Sequence, residues 1–435
     1  MTKPTVPATG GPPASPLPAW LFEKPEPSSE KPIIVQKYGG SSVADPERLK
    51  RVAQRVSETV KQGHRMMMVV SAMDKTTDQL IALARSVTQV PPRRELDMLL
   101  SSGERISMAL LAMALSELGH DAISFTGSQS GILTNDRHSG ARIIEIRPVR
   151  ILDELERDRI VIVAGFQGMS YKREVTTLGR GGSDTTAVAL AAALPASCCE
   201  IYSDVDGVYS ADPRVVPEAK HIPELGYREM QELADHGAKV LNAQAVEWAQ
   251  RAGIVMYARK THGSSRQTVI AADSERRGER GRATAVTGTA QVVDVTTQRG
   301  ADVLRVFGEQ GVLLRHLLIT EEQLEATLTL DDLPDFARTH AALLIADPEL
   351  HLRDDQGMVT AVGPGLGSDP QAVLRYSTDG GHSWSNEIPA PIGKVGEYDT
   401  RVIWHRLGRA RDFTFEVTVT DPVKTVFVNG FIKTS

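Results

Sequence analysis

The sequence predicts an α/β protein: a mostly parallel sheet covered by helices on both faces, followed by a smaller α+β region and a short β-rich tail. Three observations carry this expectation. From about residue 32 to 263 short apolar strands (Ile33 to Val35, Met66 to Ser71, Ile160 to Ala164, Cys199 to Tyr202 and Ile254 to Tyr257) alternate with helical stretches, and such alternation buries a parallel sheet on both faces. Glycine-rich turns lie between strand or loop and helix, where open α/β sheets bind ligands. Beyond a polar, arginine-rich stretch the alternation gives way to a shorter β-α-β-β-α succession.

The elements follow in order. Residues 1–31 are rich in Pro, Gly and Ser around one apolar clump, Trp20-Leu21-Phe22, and read as a disordered leader whose clump is free to dock. The strand Ile33-Ile34-Val35 then runs into Gln36-Lys37-Tyr38-Gly39-Gly40-Ser41-Ser42-Val43, and a helix is expected from about Asp45 to Gln62. Strand, glycine turn and helix make a phosphate cradle. It is not a Walker loop, because the lysine precedes the glycines, and Lys37 falls at the carboxyl end of its strand.

A second glycine turn, Thr176 to Thr186, reads Thr-Thr-Leu-Gly-Arg-Gly-Gly-Ser-Asp-Thr-Thr and leads into the helix-forming run Ala187 to Leu194. Glycines let the backbone approach a ligand, and the N–H groups of the following helix face it with the positive end of the dipole. Arg180 adds a bidentate hold on a carboxylate, and Asp184 is the one acid there, suited to a metal or a donor group. The plainer alternative is a turn with a Ser/Asp helix cap. A third cluster, Tyr202 to Arg214, contains Ser203, Asp204, Asp206, Gly207, Tyr209 and Asp212; its plain reading is a strand entering an Asp-Gly turn.

Ser264 to Gly288, with its run Glu275 to Arg282, reads as a solvated linker. After it, Gln291 to Thr297, Asp302 to Gln310, Leu313 to Ile319, Ala326 to Leu330 and Leu333 to Leu343 give the β-α-β-β-α order. The tail contains Ser377-Thr378-Asp379-Gly380-Gly381-His382-Ser383-Trp384, the S-x-D-G-G-x-x-W form of an Asp-box hairpin, in which Asp379 closes the turn and Trp384 packs beneath. A basic run from Arg406 to Arg411 reads as an exposed loop or strand, and Thr414 to Val419 as a strand.

Composition bounds the function. At 435 residues with 41% hydrophobic and 24% charged residues the chain can bury a large core and is expected to hold two or three domains. A net charge of −6 supplies no general surface for polyanions, which argues against a nucleic acid partner. The two cysteines, Cys198 and Cys199, are adjacent and without C-x-x-C spacing, so they read as small buried hydrophobes. No apolar run is expected to span a bilayer and no signal-peptide core stands at the N-terminus, which points to a cytoplasmic protein with no membrane partner.

Together these motifs resemble the aspartate kinase family, a branch of the amino acid kinase fold. The resemblance runs from about Pro32 to Gly263 in family order: KYGGSSV at Lys37, VVSAM and TTD from Val69, SSGERIS at Ser101, VAGFQGM at Val163, TTLGRGGSDTTA at Thr176, YSDVDGVYSADPR at Tyr202 and GAKVLNAQAVEWA at Gly237. The implied domains are a leader (1–31), an amino acid kinase catalytic domain (32–263), a linker (264–288), an ACT-like regulatory region (289–370) and a β tail (371–435). Met358 to Leu366 resembles the opening strand of the family's second ACT module, after which the pattern stops. The remainder looks like the carboxyl end of a phage tail or packaged-DNA-stabilisation protein.

The resemblance implies transfer of the γ-phosphoryl group of ATP, with Mg²⁺, to the side-chain carboxylate of L-aspartate, the first step of lysine, threonine and methionine biosynthesis. Lys37 matches the lysine that stabilises the transferring phosphoryl group, Gly39 and Gly40 the close backbone, and Lys239 a second phosphate contact. Glu104, in a Ser-Gly-Glu turn, matches the acid that receives the substrate ammonium. Arg180 matches the clamp on the α-carboxylate, and Ser71, Thr77 and Ser183 the polar lining. Ser203, Asp204, Tyr209 and Arg214 fall on the nucleotide side, with Asp184 and Asp204 nearest to Mg²⁺. Ser203 stands where threonine is usual and Asn242 where histidine is frequent. Asp74 brings an anion into a loop that more often has a small residue, and would weaken aspartate binding unless it points to solvent. Another amino acid kinase, or a binding protein built on a kinase domain, stays open as an alternative, as does a homo-oligomer.

Overall fold

The computed structural model describes residues 31–179, 181–272, 283–310, 312, 314, 316–319, 323–330, 333, 336–362, 371–377, 388–391 and 414–419. Arg180, the Trp20-Leu21-Phe22 clump, the run Glu275 to Arg282, the Asp-box core and the basic run Arg406 to Arg411 lie outside the described residues. The chain divides into two compact units, Met1–Val208 with Val240–Ala272, and Tyr209–Lys239 with Asp273–Ser435.

The first unit opens with β1 (Ile33–Tyr38), a Gly40–Val43 3₁₀ turn and α1 (Pro46–Lys61). Asp45 accepts from Arg48 N at 2.8 Å and Pro46 follows it, so α1 begins where its first free N–H groups find a cap. Next come β2 (Arg65–Val70), α2 (Thr76–Val87), α3 (Arg93–Glu117), β3 (Ala122–Phe125), β4 (Ile132–Thr134), β5 (Ile143–Ile146), α4 (Val149–Glu156), β6 (Ile160–Ala164), β7 (Gln167–Ser170), β8 (Val175–Thr177), α5 (Gly182–Ala193) and β9 (Ala196–Ser203). The following segment supplies β10 (Val208–Tyr209), β11 (His221–Ile222), β12 (Glu224–Gly226) and α6 (Tyr227–Asp235). The first unit then finishes with α7 (Ala243–Ala252), β13 (Met256–Lys260) and β14 (Gln267–Ala271).

Its central sheet runs β14-β13-β9-β1-β2-β6-β3, with β14 antiparallel and the rest parallel. Every residue of β1, β2 and β6 is buried, as strands covered on both faces must be. Strand alternation sends Ile34, Tyr38, Met66, Met68 and Val70 into a core with Leu49, Val52, Val56, Met108, Leu111 and Leu115 of α1 and α3. Lys37, out of phase with that set, is left to the opposite face, where α5 packs on β1, β2 and β9. Helix α5 is buried from Gly182 through Ala192, which its small side chains permit. A second sheet in this unit has the order β5-β4-β7-β8.

Among the described residues α3 is long and apolar enough to cross a membrane by length and composition, so one run does reach the size the sequence reading excluded. It packs instead against α1, α2, β3, β6 and β8, with its acids Asp97 and Glu104 turned inward.

In the second unit β15 (Ala285–Thr297), α8 (Gly300–Gln310), β16 (His316–Ile319), β17 (Leu324–Thr329), α9 (Phe336–Ala346) and β18 (His351–Val362) keep the expected succession. They form an antiparallel sheet of order β16-β17-β15-β18 around Val293, Val295, Val303, Phe307, Leu328 and Leu343. Two boundaries differ from expectation. Gln267 to Ala271 is a strand rather than linker: its β-branched Thr268, Val269 and Ile270 pair antiparallel with β13. Met358 to Val362, expected to open a further module, is the end of β18 and pairs with Ala285 to Thr289. In the tail β19 (Gln371–Ser377), β20 (Ile388–Pro391) and β21 (Thr414–Val419) form a three-stranded antiparallel sheet.

Candidate active site

The site is built at the carboxyl ends of β1, β2 and β9. Lys37 is 9% exposed, and its Nζ lies 2.6 Å from Asp184 Oδ1, an ion pair without hydrogen-bond alignment. Asp184 sits in the first turn of α5, where the helix dipole favours an acid. The preceding Gly181 has φ 73°, a conformation that a glycine enters without strain, and the turn is closed by Gly182 N to Gly179 O at 3.0 Å and Asp184 N to Gly181 O at 3.0 Å.

The turn after β1 approaches its neighbours closely. Gly39 N donates to Tyr202 O at 3.1 Å, and a Cβ on Gly40 would stand 2.7 Å from the Ala72 carbonyl oxygen. Ala72 N in turn donates to Glu104 Oε1 at 3.2 Å, so the glycine turn and the acid meet at one residue. Ser42 Oγ and Thr261 Oγ1 are 2.5 Å apart, and Thr261 Oγ1 donates to Ser203 O at 3.0 Å, which ties the turn to the end of β9.

Glu104 lies inside the 25-residue α3, not in the turn that its Ser-Gly-Glu setting suggested. Gly103 is tolerated there because Ala72 comes too close for a side chain, a Cβ falling 2.8 Å from that of Ala72. Glu104 is 3% exposed, and its Oε2 has no hydrogen-bond partner among the described residues. Burial raises its pKa to about 7, opposed by backbone N–H donors including that of Ala72.

The other expected residues are placed as follows. Ser71 and Thr77 are half-buried, at the end of β2 and in the first turn of α2. Ser183 is buried beside Asp184, Ser203 is half-buried and Asp204 exposed. Asp74 is exposed, so its charge meets water. Asn242 caps α7 through Gln244 N at 2.9 Å and accepts from Thr185 Oγ1 at 3.2 Å. Tyr209, Arg214 and Lys239 belong to the second unit. There Arg214 grips Asp212 through Nε at 3.0 Å and Nη2 at 2.7 Å, and the Asp212 carboxyl is held below its usual range by Arg214 first and Lys239 after it.

The sequence reading did not single out the buried acids Asp97, Glu200 and Asp347. Asp97 of α3 is fully buried and holds the Ser139 turn and Thr177. The signal was available: an acid seven residues before Glu104, set among the apolar residues Leu96, Met98, Leu99 and Leu100, falls on the same helix face.

A parallel sheet with a lysine–aspartate pair at the start of a buried helix, a glycine turn and a buried carboxylate is the build of an amino acid kinase. The amino acid kinase family model matches residues 32–259, and aspartokinase of Thermus thermophilus is 41% identical over 367 residues, covering 79% of this chain and 88% of that protein. The chain belongs to the amino acid kinase family, in its aspartokinase branch. Aspartokinases of Mycolicibacterium smegmatis (55% identical over 239 residues) and Corynebacterium glutamicum (54% over 244) match 55% and 56% of this chain. The chain spans 57% and 58% of the length of those two relatives. Among solved structures, E. coli aspartokinase III in complex with aspartate and ADP superposes with a TM-score of 0.68 at 26% identity, over 76% of this chain and 87% of that one. Residues 340–435 match a different family, the bacteriophage P22 Gp10 beta-sandwich.

Proposed function

We propose that this chain is an aspartate kinase, which transfers the γ-phosphoryl group of ATP to the side-chain carboxylate of L-aspartate to give 4-phospho-L-aspartate and ADP. The observation that carries the reading is Glu104: a buried carboxylate with one oxygen unpartnered among the described residues, reached through Ala72 from the glycine turn. Its chemistry suits an ammonium group, and E. coli aspartokinase III, similar in fold, is a structure in complex with aspartate and ADP.

A carboxylate is already ionised near neutral pH, so the acceptor needs no general base. One of its oxygens attacks the γ-phosphorus as the bond to the β,γ-bridging oxygen breaks and ADP leaves. What the protein supplies is alignment of two anions and neutralisation of charge. Lys37 answers the phosphoryl charge, with Asp184 holding its ammonium in place until the nucleotide binds. Glu104 takes the substrate ammonium, Arg180 the α-carboxylate, and Ser71, Thr77 and Ser183 line the pocket. Ser203, Asp204, Tyr209, Arg214 and Lys239 serve the nucleotide. Among the described residues no three metal-ligating side chains cluster; Mg²⁺ needs only one or two carboxylates beside phosphate oxygens and water, which Asp184 and Asp204 suit. When bound it supplies charge neutralisation on the phosphates. Residues 289–370 are proposed to form an ACT-like regulatory region, and the protein to act in the cytoplasm in the biosynthesis of lysine, threonine and methionine.

A coupled assay of ADP formation with a panel of acidic amino acids tests this. Turnover with L-aspartate and not with L-glutamate is expected; activity with glutamate alone, or none with either, would overturn it.

A further inference from the structure

The buried carboxylate of Asp97 is surrounded by donors from two segments that are distant in sequence. Ser139 N reaches its Oδ1 at 3.1 Å, Thr177 Oγ1 reaches Oδ1 at 2.6 Å, Thr177 N reaches Oδ2 at 3.3 Å, and His138 Nδ1 stands 2.8 Å from Oδ2. Ala141 N also donates to Thr177 O at 2.8 Å, so the 138–141 turn and β8 are clasped together on α3. Thr177 is the last residue of β8 and the chain goes directly from it into the turn before α5. Leu178 N is fixed to Phe166 O at 2.9 Å, and seven residues past Thr177 stands Asp184, paired with Lys37.

A buried carboxylate is expensive to keep unless donors converge on it. Neutral hydroxyls could staple a turn to a helix; a carboxylate accepts from several donors at once and so fixes two segments in one position. Asp97 and Glu104 share a rigid helix and one face of it. Asp97 therefore references the start of α5 to the same body that carries Glu104.

We propose that Asp97 is a positioning residue for the amino acid end of the site: by gathering the Ser139 turn and Thr177 onto α3 it fixes where the chain enters α5 relative to Glu104, and with that the placement of Ser183. The proposal rests on the reading of Glu104 as the amino acid's partner. An asparagine has the same shape but turns one acceptor into a donor that faces other donors, so Asp97→Asn disturbs the clasp without a change of volume.

The test uses the full-length chain as wild type, Asp97→Asn, Thr177→Val and Thr177→Ser. KM for aspartate and for ATP are measured separately, with melting temperature and amide hydrogen exchange over residues 178–184. Asp97→Asn is expected to raise KM for aspartate about tenfold or more, leave KM for ATP within about threefold, and speed exchange at 178–184 while the α3 amides keep their protection. Thr177→Val should move the same way by less, and Thr177→Ser, which keeps the hydroxyl, should behave as wild type. An unchanged aspartate KM in Asp97→Asn, or equal rises for aspartate and ATP, overturns the proposal. If Asp97→Asn does not fold, the contrast between Thr177→Val and Thr177→Ser decides it. A wild type without aspartate-dependent turnover would refute the kinase reading instead, and the exchange data alone would then judge the positioning role.

Discussion

Lys37 Nζ and Asp184 Oδ1 stand 2.6 Å apart, joining the carboxyl end of β1 to the first turn of α5. The two groups are almost wholly withdrawn from water, at side-chain exposures of 11% and 12%. The pair thus links the phosphate side of the proposed site to the helix that closes it.

Lys37→Ala removes a positive charge from the transition state and should cut turnover by about a hundredfold or more. It also leaves Asp184 buried without its cation, which destabilises the protein. Adding Asp184→Asn should restore the melting temperature but not the turnover. Recovery of turnover in the double variant would show that Lys37 serves only to neutralise Asp184.

Glu104 titrates near neutrality because burial disfavours its charge, with a pKa of about 7. Below that pH the acid is protonated and offers no charge to an ammonium group. KM for aspartate should accordingly fall as pH rises from about 6 to about 8, then level off. Glu104→Gln should raise KM for aspartate, remove this pH-dependent leg and leave KM for ATP nearly unchanged; Arg180→Ala should also act on aspartate. A KM that rises with pH over this range would contradict the assignment.

Gly40 and Gly308 make a matched comparison. A Cβ on Gly40 would press on the Ala72 carbonyl at 2.7 Å, whereas at Gly308, in α8, nothing stands within 4 Å. Gly40→Ala should shift the turn and lower kcat/KM about tenfold. Gly308→Ala should leave kinetics alone and raise stability by roughly 0.5 kcal/mol in urea titration. Wild-type kinetics in Gly40→Ala would show that the close approach is not needed.

Truncation separates the tail from the rest. The antiparallel sheet of the second unit is complete with β18, so a chain that ends at Pro370 should keep its activity within about twofold. A chain cut near Gly278 loses β15 and β18, against which α6 packs; Val286 N of β15 donates to Ser210 O at 2.7 Å, and Thr284 Oγ1, just before β15, donates to Glu229 Oε1 at 2.7 Å. That chain should lose most of its turnover. Lysine and threonine are expected to inhibit the full-length protein poorly or not at all; strong, saturable inhibition would show that a complete effector site exists.

Much of the first unit was legible because strand burial writes itself as continuous apolar runs, and the helix expected from about Asp45 to Gln62 is α1. Lys37, Gly39, Gly40 and Asp184 stand out in the sequence as parts of glycine turns, a strong local signal. Glu104 was found through its motif but misplaced, since Ser-Gly-Glu looks like a turn until the close approach of Ala72 explains the glycine inside a helix. Asp97 was missed because its partners, Ser139 and Thr177, are distant in sequence and only folding brings them together. The strand Gln267–Ala271 was hidden by its polar flanks, and the division of Tyr209–Lys239 from the first unit follows from contacts with β15 and β18 that no local pattern announces.

Helix α5 has no solvent-facing residue between Gly182 and Ala192. An ordinary amphipathic helix has one side on which substitutions drift freely, and α3, with Ile106, Leu110 and Met113 outside, has such a side. In α5 that freedom is missing from Gly182 to Ala192: Ser183 and Asp184 belong to the proposed site, and the positions after them are limited by volume. A saturation library across the gene would show α5 as an unbroken intolerant block, a helix without periodicity in its mutational record.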